Sequence, residues 1–235
     1  MLCPKGYVQK YPVFKTERLT DPVYNEKDFN NIMIWFLTHN HEDHIDKEGI
    51  AVISEEATII THKGLRHIIA PLKNSDVRFM EATQKTDFAF DTINIAITAL
   101  PAIHAKRKVF GKLIGNGNGY LLKIKDKKSQ YTVYITGDSV YSKKILKFVS
   151  ESDVDCVITN AGAAKLGKTV LSSIIGRITN NSIDIKAMAA ALHPRILIPV
   201  HWGTFSHYDE VLDPHLFIND KNIRIVKVGE SIQLT

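Results

Sequence analysis

The sequence is poor in thiols. Its two cysteines, Cys3 and Cys156, stand in no metal-like spacing, which excludes a disulfide framework and a thiolate metal site. Long apolar runs are missing as well: none approaches the ~20 residues that cross a bilayer, and residues 1–10 lack the apolar core of a secretory signal. A cytoplasmic protein without a membrane span is expected. Excess charge is modest, with a formal net charge of +5. That balance fits a small anionic substrate, scattered surface lysines account for it equally well, and no nucleic-acid partner is expected from it. Internal repeats, linkers and low-complexity stretches are absent, so residues 1–235 are expected to form one domain. Hydrophobic residues at 44% and charged residues at 23% are ordinary for a chain that folds around a sizeable core.

Against this plain background one stretch is dense in chemistry. An apolar run, Ile32, Met33, Ile34, Trp35, Phe36 and Leu37, reads as a fully buried strand. It runs into Thr38, His39, Asn40, His41, Glu42, Asp43, His44, Ile45 and Asp46. In extended backbone His39 and His41 point the same way, so two imidazoles can converge on one metal ion. Asp43 and His44 follow where the chain must turn and can reach a second ion. The alternative is a polar loop that caps a strand, with Asp43 or Asp46 as a helix N-cap. Packing alone rarely needs so many metal-binding side chains at the end of a buried strand.

The rest of the chain alternates short apolar runs with turn signals. Residues 7–14 alternate like a strand interrupted by Pro12, which suits an edge strand. Strands are expected at residues 57–61, 77–80, 93–100, 120–124, 131–136, 154–159, 196–200 and, closing the chain, 223–228. Helical spacing is expected at residues 64–70, 141–149 and 182–192; residues 163–180 read as a loop with one helical turn. Three of these strands end in a polar side chain of interest: His104 after residues 93–100, Asp138 after 131–136, and His201 after 196–200. Each alone would more often be structural. If their strands share a sandwich, their ends, with the histidine stretch, can lie on one rim, where α/β folds place ligands.

The stretch from His39 to His44 resembles the His-x-His-x-Asp-His motif of the metallo-β-lactamase superfamily. The order of a histidine motif, a lone histidine, an aspartate and a final histidine is similar to that family along nearly the whole chain. The wording Pro199, Val200, His201, Trp202, Gly203, Thr204 and Phe205 resembles the branch that holds N-acyl-phosphatidylethanolamine phospholipase D and the ascorbate-6-phosphate lactonases. Pro101, Ala102, Ile103 and His104, and Thr20, Asp21 and Pro22, fit the same branch. Ala105 and Ser139 depart from it. The resemblance implies an α/β fold of metallo-β-lactamase type, a four-layer αβ/βα sandwich, here with a short N-terminal β segment, for which a chain that begins late and cover by a neighbouring subunit of a homo-oligomer are the two expectations. It implies that His39, His41 and His104 hold a first metal, that Asp43, His44 and His201 hold a second, and that Asp138 bridges them. Two divalent ions are thus expected, Zn2+ first for its affinity for imidazole, with Mn2+ and Fe2+ as alternatives.

Five neutral imidazoles and two carboxylates around two dications and one hydroxide leave about one positive charge, which attracts a phosphate or a developing oxyanion. Ions about 3.5–4 Å apart can share a water and present it as hydroxide. The expected activity is hydrolysis of a phosphodiester or lactone/ester bond in a small anionic metabolite, with the bridging hydroxide as nucleophile and Asp43 as the catalytic residue that orients it. A nuclease, a phospholipid diesterase and a metal-holding scaffold without turnover are the alternatives. No long insertion suits an RNA-gripping arm, and no amphipathic helix suits a lipid surface. Weaker candidates are Lys106 and Arg107 as an anion grip, Trp202 and Phe205 as pocket walls, Asn160 and Gly162 at a strand end, and His207 and Tyr208 beside the ligands. His62, His67, His193 and His215 read as structural or surface residues.

Overall fold

A computed structural model of the chain describes residues 1–11, 14–74, 76–104, 117–167 and 170–234. The chain opens with a small hairpin, β1 (Val8–Lys10) and β2 (Lys15–Glu17). Next come β3 (Ile34–Leu37), α1 (Lys47–Ala51), β4 (Thr58–Thr61), α2 (Arg66–Ile69) and β5 (Val77–Phe79). The second half runs through β6 (Lys85–Ala89), β7 (Asn94–Ala102), β8 (Gly117–Lys125), β9 (Gln130–Ile135), α3 (Lys143–Val149), β10 (Cys156–Asn160), α4 (Val170–Ile175), α5 (Ser182–Leu192) and β11 (Ile196–Val200).

The strands form two larger sheets. Strands β3, β4 and β5 make a parallel sheet in that order. The second sheet has six strands in the order β11-β10-β9-β8-β7-β6, antiparallel from β6 to β9 and parallel from β9 to β11. Side chains alternate between the faces of a strand, and here the two faces enter different cores. On β4, Ile59 faces the core under α1 and α2 while Ile60 faces the other sheet. On β9 to β11, Val133, Cys156 and Ile196 face the first sheet, while Tyr134, Val157 and Leu197 pack on Ile145, Leu146 and Val149 of α3 and on Ile185 and Met188 of α5. Helices, sheet, sheet, helices is the four-layer αβ/βα sandwich that the resemblance implies. Among the described residues, no helix is long and apolar enough to cross a membrane.

Several expectations need correction. The run ending in Leu37 is only half-buried over Ile34, Trp35 and Phe36, because β3 is the edge of its three-stranded sheet and has a neighbour on one side only. No strand forms over residues 223–228: Ile223 makes a single bridge to Leu197, after which Arg224 N–H donates to Leu197 O and the pairing stops. Strand β6 was not anticipated, since Lys85, Thr86 and Asp87 mask its alternation on a half-exposed edge. The helical turn expected within residues 163–180 is the short α4. Pro12 lies outside the described residues. Helix α5 and strand β11 have the bounds read from the sequence.

Asp46 fixes the turn after the histidine stretch. It is the N-cap of α1 and accepts from Gly49 N–H at 2.7 Å, and its other oxygen accepts from Leu2 N–H at 2.8 Å and Cys3 N–H at 2.6 Å. One buried carboxylate thus satisfies a helix start and an incoming backbone segment together. Asp46→Ala strands three donors, and loss of a cap with its charged hydrogen bonds is expected to cost about 2–3 kcal/mol. A urea titration of the two proteins measures that difference.

Candidate metal centre

The residues singled out in the sequence meet where β3, β7, β9 and β11 end. One potential ligand atom each from His39, His41, His104 and Asp138 lie within 4.8 Å of one another, and so do one each from Asp43, His44, Asp138 and His201. Asp138 belongs to both groups. The rings crowd accordingly, with centroids of His39 and His104 4.7 Å apart, His39 and His44 4.0 Å, and His44 and His201 4.2 Å. His39 Nε2 lies 3.0 Å from His41 Nδ1, and His44 Nε2 lies 3.0 Å from Asp138 Oδ1.

Local backbone explains how these side chains converge. The glycine-rich start of β8 lies against the end of β3: a Cβ on Gly117 would come within 2.8 Å of the His39 Cβ, Asn118 N–H donates to Thr38 O at 2.9 Å, and the Tyr120 hydroxyl donates to Leu37 O at 3.1 Å. Gly137, just before Asp138, has φ +58° and sits against Asn118 O, a conformation and a contact that favour glycine. The Ser139 hydroxyl accepts from Ile103 N–H at 3.1 Å and Val140 N–H donates to Ile103 O at 2.8 Å, so the loop carrying Asp138 positions His104. His201 itself has φ +69°, a left-handed conformation that costs a non-glycine residue about 1–2 kcal/mol; strain of this kind gathers at functional sites.

The electrostatics suit cations. His104 is 1% exposed and neither ring nitrogen has a hydrogen-bond partner, so both lone-pair and N–H capacity are buried unused. Burial, aided by the neighbouring His41, pushes its pKa down to about 4. Burial likewise holds His39 well below and His201 below the usual histidine range. Burial works against ionisation of Asp43 and Asp138, yet His44 and His201 hold both carboxyls below their ordinary range. For His44 burial acts downward, but the charge and hydrogen bonding of Asp138 raise it overall. Imidazoles that burial keeps neutral, as at His39, His104 and His201, grouped with buried carboxylates fit divalent cations, which satisfy both at once.

Further residues support this cluster. Asn160 Nδ2 donates to Asp138 Oδ1 at 3.3 Å, while its Oδ1 accepts from Asn180 Nδ2 at 3.1 Å, which fixes the amide with its donor toward the carboxylate. The Tyr208 hydroxyl donates to Asp43 Oδ2 at 3.3 Å and touches His201 Nδ1. His207 Nε2 is 3.8 Å from Asp43 Oδ2. Trp202 packs partly buried on the main core, and Phe205 is buried. Gly162 has φ +86° and abuts Trp202. His62 and His193 have local roles, as a 3-10 helix N-cap and a left-handed helix C-cap. Lys106 and Arg107 lie outside the described residues. Sequence reasoning missed Asn180, Tyr11, Gln9 and Thr16; only the alternation of residues 7–14 hinted that the hairpin had a buried face.

His104 has a folded pKa below the ordinary ~6.5 of an exposed histidine, so the unfolded chain takes up its proton first on acidification. Its contribution to stability is complete above pH ~6.5 and is lost as pH falls toward its folded pKa. For chelator-treated protein, melting temperature against pH is expected to fall over this range, and the fall should be shallower for His104→Asn.

Comparisons with known proteins agree with this architecture. Residues 8–202 match the family model described as the β-lactamase superfamily domain. A UPF0173 metal-dependent hydrolase of Alkaliphilus metalliredigens is 24% identical over 195 residues, covering 82% of this chain and 76% of that relative. Among solved structures, a possible metal-dependent hydrolase from Veillonella parvula aligns with a TM-score of 0.78 at 21% identity, covering 98% of this chain and 89% of the other. An isothiocyanate hydrolase from Delia radicum gut bacteria aligns with a TM-score of 0.75 at 20% identity, covering 100% and 91%. With a family model spanning most of its length, this chain belongs to the β-lactamase superfamily, alongside relatives that are metal-dependent hydrolases.

Proposed function

We propose that this metal-dependent hydrolase works with two divalent ions on a phosphodiester or lactone/ester bond of a small anionic metabolite. The observation that carries the reading is the pair of ligand groups sharing Asp138. His39, His41 and His104 would hold one ion, Asp43, His44 and His201 the other, with Asp138 between them. When bound, the ions supply Lewis acidity and lower the pKa of water toward neutrality. Zn2+ suits a set rich in imidazole and free of sulfur, with Mn2+ and Fe2+ as alternatives.

The chain's own residues set the geometry around that chemistry. Asp43, held by the Tyr208 hydroxyl, orients the attacking water and accepts its hydrogen bond. Asn160 keeps Asp138 from rotating. Burial of His39, His104, Asp43 and Asp138 keeps bulk water from competing and strengthens every charge interaction in the site. No serine or cysteine nucleophile is required.

Elemental analysis of protein purified without added metal or chelator tests this directly. About two divalent ions per chain are expected, with clear losses in His104→Ala and Asp138→Ala and a fall in turnover of at least ~100-fold in both. Full metal content and full activity in Asp138→Ala would sink the scheme. A metal-free wild type that also fails to take up added Zn2+, Mn2+ or Fe2+ would favour a scaffold.

A further inference from the structure

The β1–β2 hairpin turns a polar face inward. Gln9 and Thr16 are cross-strand partners and each is 1% exposed, while Val8, Lys10, Lys15 and Glu17 beside them are exposed. The hairpin is stitched to the chain that follows His201: Arg18 bridges Phe205, Leu19 N–H donates to Thr204 O, and Ser206 N–H donates to Glu17 O. Thr16 Oγ1 is 2.7 Å from His207 Nδ1, so this face is fastened to a residue that approaches Asp43. A ribbon whose buried face is polar gains little from the apolar burial that stabilises most strands.

Gln9 stands out on this face. Its Oε1 accepts from the Tyr11 hydroxyl at 3.2 Å, but its Nε2 is buried and has no partner. Leaving a buried donor unpaired costs about 1–3 kcal/mol, so such a group calls for an explanation, and an acceptor that arrives with a ligand is one. Tyr11 shows where Gln9 lies. The Tyr11 ring meets that of His41 edge-on at 6.2 Å and stacks on Phe14 at 4.7 Å, and its hydroxyl, besides being buried, feels Asp43 as its leading charge. Gln9, two residues before Tyr11 and bonded to its hydroxyl, therefore lies on the side of the hairpin that Tyr11 turns toward His41.

We propose that Gln9 Nε2 donates a hydrogen bond to an acceptor oxygen of the substrate at the metal centre. That oxygen is a phosphoryl oxygen of a phosphodiester or the carbonyl oxygen of a lactone or ester. The inference rests on the hydrolase reading above and adds to it a binding residue carried on a strand. Placing the donor on a paired strand fixes it more rigidly than a loop would, and the Tyr11 hydroxyl engages the amide oxygen, which leaves Nε2 as the donor still to be matched.

The test compares wild type, Gln9→Met and Gln9→Glu, all loaded with Zn2+, on bis(p-nitrophenyl) phosphate and on γ-butyrolactone. Methionine keeps the length without a donor; glutamate keeps the acceptor for Tyr11 and removes the donor. Metal content should match wild type in both variants, and the melting temperature of Gln9→Met should change little, because it removes the unpaired donor together with the acceptor of the Tyr11 hydroxyl. Against the substrate that is turned over, kcat/KM should fall about ten- to a hundredfold in both variants, mainly through KM. The substrate affected distinguishes phosphoryl from carbonyl recognition. Wild-type kcat/KM in either folded variant overturns the proposal, as does a loss that only follows a lowered melting temperature. Should wild type hydrolyse neither compound, the activity reading fails for these classes, and calorimetric binding of inorganic phosphate to the Zn2+-loaded protein decides the role of Gln9. Binding at least about tenfold tighter in wild type than in Gln9→Met supports it; equal binding or none overturns it.

Discussion

Two buried carboxylates set the terms for this structure. Asp43 and Asp138 sit in an interior from which bulk water is excluded, and an isolated ionised carboxylate there would be very costly. Five imidazoles surround them, and within this cluster both carboxyls remain below their usual range despite burial. Such an arrangement is stable only if the imidazoles are held where they are needed. Much of the architecture around the site accomplishes that holding.

The holding comes from joints between layers. The start of β8 lies close enough to the end of β3 for Asn118 and Tyr120 to bond the carbonyls of Thr38 and Leu37, a closeness that a side chain at Gly117 would prevent. Ser139 and Val140 clasp Ile103, Asp46 ties the turn beyond His44 to Leu2 and Cys3, and Asn180 and Asn160 brace Asp138. These contacts link segments far apart in sequence, so the site and the sandwich form together. The long-range polar bonds also hold in place Asp138 and the segments that carry His39 and His104, as a metal centre would require.

Much of the candidate site was legible because its signals are local. His39 and His41 need only the two-residue period of extended backbone to converge, and His104, Asp138 and His201 each follow a recognisable apolar run. Asn160, His207 and Tyr208 could be singled out only by position, at a strand end or beside His201, and the other supporting residues were hidden because their roles have no local signature. Asn180 lies in a stretch without clear periodicity, and Gln9 alternates with exposed neighbours on a strand of three residues. The same limit explains the misread burial of β3: an apolar run reports hydrophobicity, whereas burial depends on whether both neighbouring positions in the sheet are filled.

By itself the sequence determined the apolar runs that became most of the central strands, the bounds of α5 and β11, and the order of the residues that gather at the rim. These follow from side-chain direction and turn chemistry, which act over a few residues. Only the tertiary structure decided which strands became edges, that residues 223–228 stop at one bridge, and that a polar hairpin face turns toward the histidines. Those outcomes depend on which segments fill the space beside each element, and packing between distant parts of the chain sets that.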